Sequence, residues 1–227
     1  MAKERLIVAL DVNTLADALK WVKLLKDDVG VFKVGLELFV TQGPEIIKKM
    51  RAAGARAIFL DIKLHDIPAT MRAAARQAVA LGVDFLTCHC EQIDIFTDMD
   101  LSDTRLLGIT VLTSLEQTDL VRQGYDAPFT DPFKLAMLRA QIALGAGCHG
   151  VVCSGHEAAG MREVLGSDAL IVCPGIRPGG SEVNDQKRVV TPRQAIEAGA
   201  SHIVVGRPIL KAVAPLSAAR AIVADMA

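Results

Sequence analysis

Eight short apolar runs rich in β-branched residues recur along the chain, and their alternation with a second kind of segment limits the fold most. The runs are LIVALD (6–11), VFKV (31–34), AIFLDI (57–62), FLTCH (85–89), LLGITV (106–111), GVVC (150–153), LIVCPG (170–175) and HIVVG (202–206). Between them, 15–28, 44–54, 68–82, 134–147, 157–166 and 191–200 carry the apolar spacing of a helix packed on one face. Runs so apolar on both sides belong to parallel strands covered by helices. Gly54, Gly82, Gly147 and Gly199 close helical stretches just ahead of a strand, where a left-handed C-terminal residue is wanted. Thr191-Pro192 reads as an N-cap followed by Pro at the first helical position. Eight strands with intervening helices predict an α/β fold, a (β/α)8 TIM barrel, as a single domain over 1–227. A doubly wound sheet would use fewer strands and a Gly-rich turn after the first, where this chain has DVNTLAD.

Composition narrows the class. A length of 227 residues suits one undivided barrel, and 51% hydrophobic with only 4% aromatic residues suits Ala-rich helices on Val/Ile/Leu strands. With 25 Lys and Arg against 26 Asp and Glu, nothing draws the chain generally to nucleic acid or to an anionic membrane. The first apolar stretch is too short for a signal sequence, and no apolar run reaches membrane-spanning length. Cys88, Cys90, Cys148, Cys153 and Cys173 are odd in number and read as reduced thiols, mostly packed in strands. A cytoplasmic protein is expected.

In a parallel barrel the C-terminal mouth carries the chemistry. The strand ends present Asp11, Lys33, Asp61 with Lys63 and then Asp66, His89, Thr113-Ser114, PGIRPGG and Gly206-Arg207, while the opposite ends look sparse in polar residues. Asp61 and Lys63 stand two apart in a strand whose neighbours are buried on both faces, so both should point into the barrel. Buried charges need partners. Lys33 on the adjacent strand could flank Asp61, making a row Lys33–Asp61–Lys63–Asp66 of alternating sign. A purely structural ion-pair network is the alternative.

A phosphate site is the second expectation. The Gly/Pro-rich loop PGIRPGGSEVNDQKR (174–188) carries Arg177 and Gln186, and VVGRP places Gly206 and Arg207 directly after the last strand. Loops after strands seven and eight are where barrels often hold phosphate, and Arg207 could grip it bidentately. Cys88-His89-Cys90 could suggest a metal, but adjacent strand residues face opposite ways and no second pair stands at metal spacing, so His89 is read as a packed histidine.

Taken together, LIVALDV, FKVGLELF, FLDIKLHDIPAT, GITVLTS, GVVCS, CPGIRPGGSEVNDQKRVVTP and VVGRPI resemble the bacterial orotidine 5'-monophosphate decarboxylase family over nearly the full length. The resemblance implies decarboxylation of orotidine 5'-monophosphate to UMP, the last step of de novo UMP synthesis, with no cofactor and no metal. It implies that Asp11 and Lys33 bind the ribose hydroxyls, that Asp61 sits against the substrate carboxylate and that Lys63 protonates C6. It also implies a homodimer in which Asp66, Ile67 and Thr70 reach the neighbour's active site. Thr113 and Ser114 would lie by the pyrimidine, Gln186 would bridge base and phosphate, and Arg177, Gly206 and Arg207 would complete the phosphate end, with Pro174 also among the substrate-binding residues. The segment 90–104 departs from the family, which often carries a longer helical segment there. Two rival readings remain: a metal-dependent 3-keto-hexulose-phosphate lyase, which the resemblance says would carry an acidic metal ligand in place of Lys33, and a non-catalytic phosphate-ligand-binding barrel.

Overall fold

The computed structural model describes residues 2–91, 96–178 and 190–227. Its eight strands are β1 (Leu6–Ala9), β2 (Val31–Gly35), β3 (Ala57–Leu64), β4 (Phe85–His89), β5 (Arg105–Ile109), β6 (Gly150–Val152), β7 (Leu170–Cys173) and β8 (His202–Val205). Each pairs in parallel with the next and β8 pairs with β1, which closes the barrel. The outer helices are α1 (Leu15–Leu25), α2 (Leu36–Gln42), α3 (Glu45–Ala52), α4 (Pro68–Ala80), α5 (Gln117–Arg122), α6 (Pro132–Gly145), α7 (Ala158–Leu165), α8 (Pro192–Glu197), α9 (Arg207–Leu210) and α10 (Pro215–Asp225). Among the described residues no helix is long and apolar enough to cross a membrane.

Local sequence explains most of these boundaries. The Thr191 hydroxyl accepts from the Gln194 amide and Pro192 opens α8, a cap that fixes where the helix begins. Gly54, Gly82, Gly147 and Gly199 all take the left-handed conformation after their helices, with φ of 106°, 73°, 88° and 96°. Strand side chains alternate between two apolar layers. Ile7, Ala9, Val31, Phe59, Phe85, Leu107, Val172 and Val204 fill the barrel interior, whereas Leu6, Val8, Phe32, Ile58, Leu86 and Ile171 pack outward against the helices. Each fully buried side chain of this size contributes roughly 1.5–3 kcal/mol.

All five cysteines are buried free thiols. The neighbouring Cys148 thiol and burial push Cys88 well up, Cys173 and burial do the same to Cys153, and burial pushes Cys90 up to about 12. Such thiols stay protonated and unreactive. Between β4 and β5 the described residues form no α-helix. Phe96 and Leu101 are buried there, and the Thr104 hydroxyl donates to the Val83 carbonyl, which ties the described part of this segment to the barrel.

The N-terminal floor of the barrel overturns one expectation, for it is rich in polar residues. Arg162 donates to the carbonyls of Gly199, Gly166, Ser167 and Ala169 and to the Ser201 hydroxyl. Arg5 donates to the carbonyls of Ala200 and Ser201. The Asp84 carboxylate accepts from the Ile58 amide at 2.6 Å and from Arg51 at 2.5 Å. These side chains satisfy loop carbonyls and amides that the barrel leaves without ladder partners.

Candidate active site

Register places the charged residues at the mouth. Ala9 stands beside Lys33, and Gly35 beside Asp61, so β1, β2 and β3 deliver their polar ends at one height. The Lys33 ammonium lies 3.5 Å from Asp11 and 3.5 Å from Asp61, and the Lys63 ammonium donates to Asp61 at 2.8 Å. The row therefore runs Asp11–Lys33–Asp61–Lys63. Its inner members are shielded, at 12% exposure for Lys33 and 13% for Asp61, while Lys63 at 30% opens toward the mouth. Burial pushes the Asp61 carboxyl upward, but Lys33, Lys63 and the hydrogen bonds from Lys63 and Thr87 outweigh it and hold it below the usual carboxylate range.

The strand that carries Asp61 and Lys63 is not regular, and strict alternation does not explain how they meet. Leu60 faces Leu86 on β4 and Leu64 faces Cys88, so residues 61–63 stand against Thr87 alone. This is a β-bulge, and Lys63 within it has φ 49°, a left-handed backbone uncommon for a side chain of its size. Thr87 fills the gap: its hydroxyl accepts from the Lys63 amide at 2.9 Å and donates to Asp61 at 3.1 Å. Gly35 has a related role. A Cβ there would stand 3.0 Å from the Lys33 ammonium, so the missing side chain leaves Lys33 its place.

Beside the row lies a cavity lined by Phe59, Ile109, Val111, Leu112, Val152, Pro174 and Val204 together with Lys33, Asp61, Lys63 and Thr113. A second cavity, lined by Asp11, Lys33, Asp61, Pro174, Gly175, Arg177, Gly206 and Arg207, adjoins it. Arg177 is 6% exposed and donates to the Ile176 carbonyl at 3.0 Å. Gly206 leads into the short α9, which begins at Arg207. The mouth thus has a charged centre, an apolar side and an arginine-bearing side.

Other expected residues lie elsewhere. Asp66, Ile67 and Thr70 are exposed on the β3–α4 turn and the start of α4. The Asp66 carboxylate accepts from the Ile67 amide at 2.7 Å, and Asp66 makes no ion pair with Lys63 among the described residues, so it does not extend its own chain's row. Ser114 is exposed after β5 and lines neither cavity. Gln186 lies outside the described residues.

His89 stacks on His65 at 4.8 Å between ring centres and lies 3.6 Å from Glu91. Burial lowers its pKa, with His65, Arg139 and Lys63 acting the same way against Glu91, so the ring is neutral at pH 7. Among the described residues no group of three or more His, Cys, Asp and Glu is placed to hold a metal. Arg139 on α6 pairs with Glu91 and donates to the Thr110 carbonyl at 2.6 Å and the Tyr125 hydroxyl at 2.8 Å, tying the ends of β4 and β5 together. Sequence reasoning missed Arg139, Thr87 and Gly35. Only Thr87 left a signal, as a polar residue facing inward from the apolar run FLTCH.

Fold and site define a (β/α)8 barrel with a row of charged side chains at its C-terminal mouth, the end where enzymes of this fold place their chemistry. The chain belongs to the Orotidine 5'-phosphate decarboxylase / HUMPS family, whose model matches residues 4–222. It is 43% identical, over 98% of both chains, to an orotidine 5'-phosphate decarboxylase of Anaeromyxobacter sp. (strain K). It is 42% identical to one of Rhodopseudomonas palustris (strain BisB5), over 99% of this chain and 95% of the other. The crystal structure of orotidine 5'-phosphate decarboxylase from Lactobacillus acidophilus superposes with a TM-score of 0.83 at 35% identity, covering 97% of this chain and 98% of that one.

Proposed function

We propose that the chain decarboxylates orotidine 5'-monophosphate to UMP and CO2, in the cytoplasm, as a homodimer. The observation that carries this reading is the Lys33–Asp61–Lys63 row beside an apolar cavity. When the bond from C6 to the carboxylate breaks, the electron pair stays on C6 as CO2 leaves. No π-system of the substrate accepts that pair, so a fixed positive charge must stand beside it. Lys63 supplies this charge and then donates a proton to C6, giving UMP. Its ammonium is already oriented by Asp61 at 2.8 Å, so little reorganisation accompanies the reaction. Asp61, beside the departing carboxylate, disfavours the bound substrate more than the transition state in which that charge is lost. The apolar lining strengthens each of these charge interactions.

The remaining roles follow the two cavities. Lys33, which lines both, and Asp11, in the second, suit the ribose hydroxyls, Thr113 in the first suits the pyrimidine, and Pro174, Arg177, Gly206 and Arg207 suit the base–phosphate end. For Ser114 by the pyrimidine and Gln186 between base and phosphate the support is the family resemblance alone. Binding energy from the phosphate, remote from C6, would align the row. Asp66, Ile67 and Thr70 complete the neighbour's site. Ile67 is 65% exposed, and Leu36 and Val40, beside the same mouth, are 54% and 78% exposed, as an apolar contact between copies requires.

A metal-dependent lyase is disfavoured by Lys33, whose ammonium lies between Asp11 and Asp61 where a divalent ion would need those carboxylates. Incubating the purified protein with orotidine 5'-monophosphate and EDTA, while following the pyrimidine absorbance, tests the reading. Steady conversion is expected. No conversion, or conversion only with added Mg2+, would overturn it. For the shared site, Lys63→Ala and Asp66→Asn homodimers should each be inactive. Their equimolar mixture should regain about a quarter of wild-type activity, because half the dimers are mixed and carry one intact site.

A further inference from the structure

The bulge in β3 leaves an accounting problem in the backbone. In a regular central strand alternate amides turn to the two neighbouring strands, but residues 61–63 stand together against one residue of β4 only. The Lys63 amide, turned by φ 49°, finds the side chain of Thr87 instead of a ladder carbonyl. The same hydroxyl gives its single proton to Asp61, on the oxygen that also accepts from the Lys63 ammonium. One buried oxygen thus joins the backbone of the proposed proton donor to the carboxylate that orients its side chain. Thr87 is 0% exposed and lines neither cavity of the mouth, so it cannot touch a ligand there.

We infer that Thr87 is a positioning residue for the reaction, whose hydroxyl holds the bulged backbone of Lys63 and the carboxylate of Asp61 as one unit. The inference rests on the proposed decarboxylation for its kinetic consequence, not for its structural one. A left-handed lysine is strained and persists only where its surroundings over-determine it. The Thr87 hydrogen bond is the contact that does so here. Without it the bulge can relax toward regular β-structure, and the Lys63 ammonium then leaves its place beside Asp61. Misplacement of this kind lowers turnover while ground-state binding, carried by other residues, is kept.

Three variants test this. Thr87→Val keeps the shape and removes the hydroxyl. Its kcat is expected to fall by about 30-fold with KM within about twofold of wild type. Thr87→Ser keeps the hydroxyl and loses the methyl group, and should stay within about threefold of wild type in both constants. In the ligand-free protein, hydrogen exchange of the Lys63 amide, read by NMR, should quicken at least about tenfold in the valine variant and return to the wild-type rate in the serine variant. Wild-type kcat in a folded Thr87→Val protein, or an equal loss in Thr87→Ser, would overturn the inference. Should the valine variant not fold, Thr87→Cys takes its place, since a thiol is a weak donor and acceptor; wild-type kcat in it counts equally against the inference. The exchange measurement needs no substrate. If wild-type protein fails to convert orotidine 5'-monophosphate, the functional reading falls, yet an unchanged Lys63 exchange rate in Thr87→Val would still be needed to remove Thr87 from its role.

Discussion

Arg162 at the floor of the barrel and Lys33 at its mouth are both cations held among oxygens, but the oxygens differ. Arg162 directs its guanidinium at four main-chain carbonyls and one serine hydroxyl, which fixes the α7–β7 and α8–β8 turns and leaves little donor capacity for anything else. Lys33 lies 3.5 Å from each of two carboxylates, both on strand ends that face a cavity. A cation saturated by carbonyls stiffens the fold. One balanced between carboxylates beside open space can act on a ligand. Charge in a barrel is therefore informative about function only when its partners are known, and floor and mouth can be altered separately.

The largest effect should come from the mouth. Lys63→Ala removes the proposed proton donor, and turnover of orotidine 5'-monophosphate should fall by about 10^4-fold or more with the melting temperature hardly changed. An activity assay beside a thermal melt checks both; near-normal turnover would end the assignment. The floor should behave in the opposite way. Arg162→Met leaves several loop carbonyls unpaired and should cost about 3 kcal/mol of stability, or roughly 10 °C in Tm, with kcat at 25 °C unchanged. A drop in kcat with no loss of Tm would blur the division between the two ends.

Acid should also reach the floor before the mouth. His202 begins β8 with its Nδ1 buried and, among the described residues, without a hydrogen-bond partner. Burial, helped by Arg5, lowers its pKa to about 4. The unfolded chain binds this proton at about pH 6.5 and the folded one only near pH 4, so stability should fall by up to about 3 kcal/mol as pH drops through that window. His149, just ahead of β6 at the same floor and also lowered by burial, acts in the same direction. Asp61 is a depressed carboxylate, so the stability it contributes is lost at still lower pH, as its own pKa is passed. Urea titrations from pH 7 to 4 on wild type and His202→Gln should show the variant with the flatter profile.

The smallest effect is expected at Gly35, whose Cβ would crowd the Lys33 ammonium at 3.0 Å. A lysine end can shift at modest cost, so Gly35→Ala should lower kcat/KM by about three- to tenfold and leave Tm nearly as it was. No kinetic change would mean that Lys33 has more room than the geometry shows.

How much of this was legible beforehand depends on whether the cause was local. All eight strands and the six helical stretches named from their periodicity are present, because period, capping residues and helix-closing glycines act over a few neighbours. Helices α2, α5, α9 and α10 were not named. α2 and α9 follow their strands with no loop between beyond a single N-cap glycine, and α5 is only six residues long, so periodicity has little to work on. The charges of the mouth were legible as identities at strand ends. The arginines and aspartates of the floor were just as visible in the sequence, but their use of carbonyls was not, because a carbonyl has no letter of its own.

Taken by itself, the sequence determined the alternation of strand and helix, the parallel barrel it implies, and which strand ends bear Asp11, Lys33, Asp61 and Lys63. These follow from side-chain period and residue type, which need no knowledge of what lies across the sheet. Tertiary structure alone decided that Asp11 rather than Asp66 joins the row, that residues 61–63 bulge against Thr87, and that Lys63 takes a left-handed backbone to meet Asp61. Each of those depends on the register between neighbouring strands. Register is set by closing and packing the whole barrel, so no short stretch of the chain carries it.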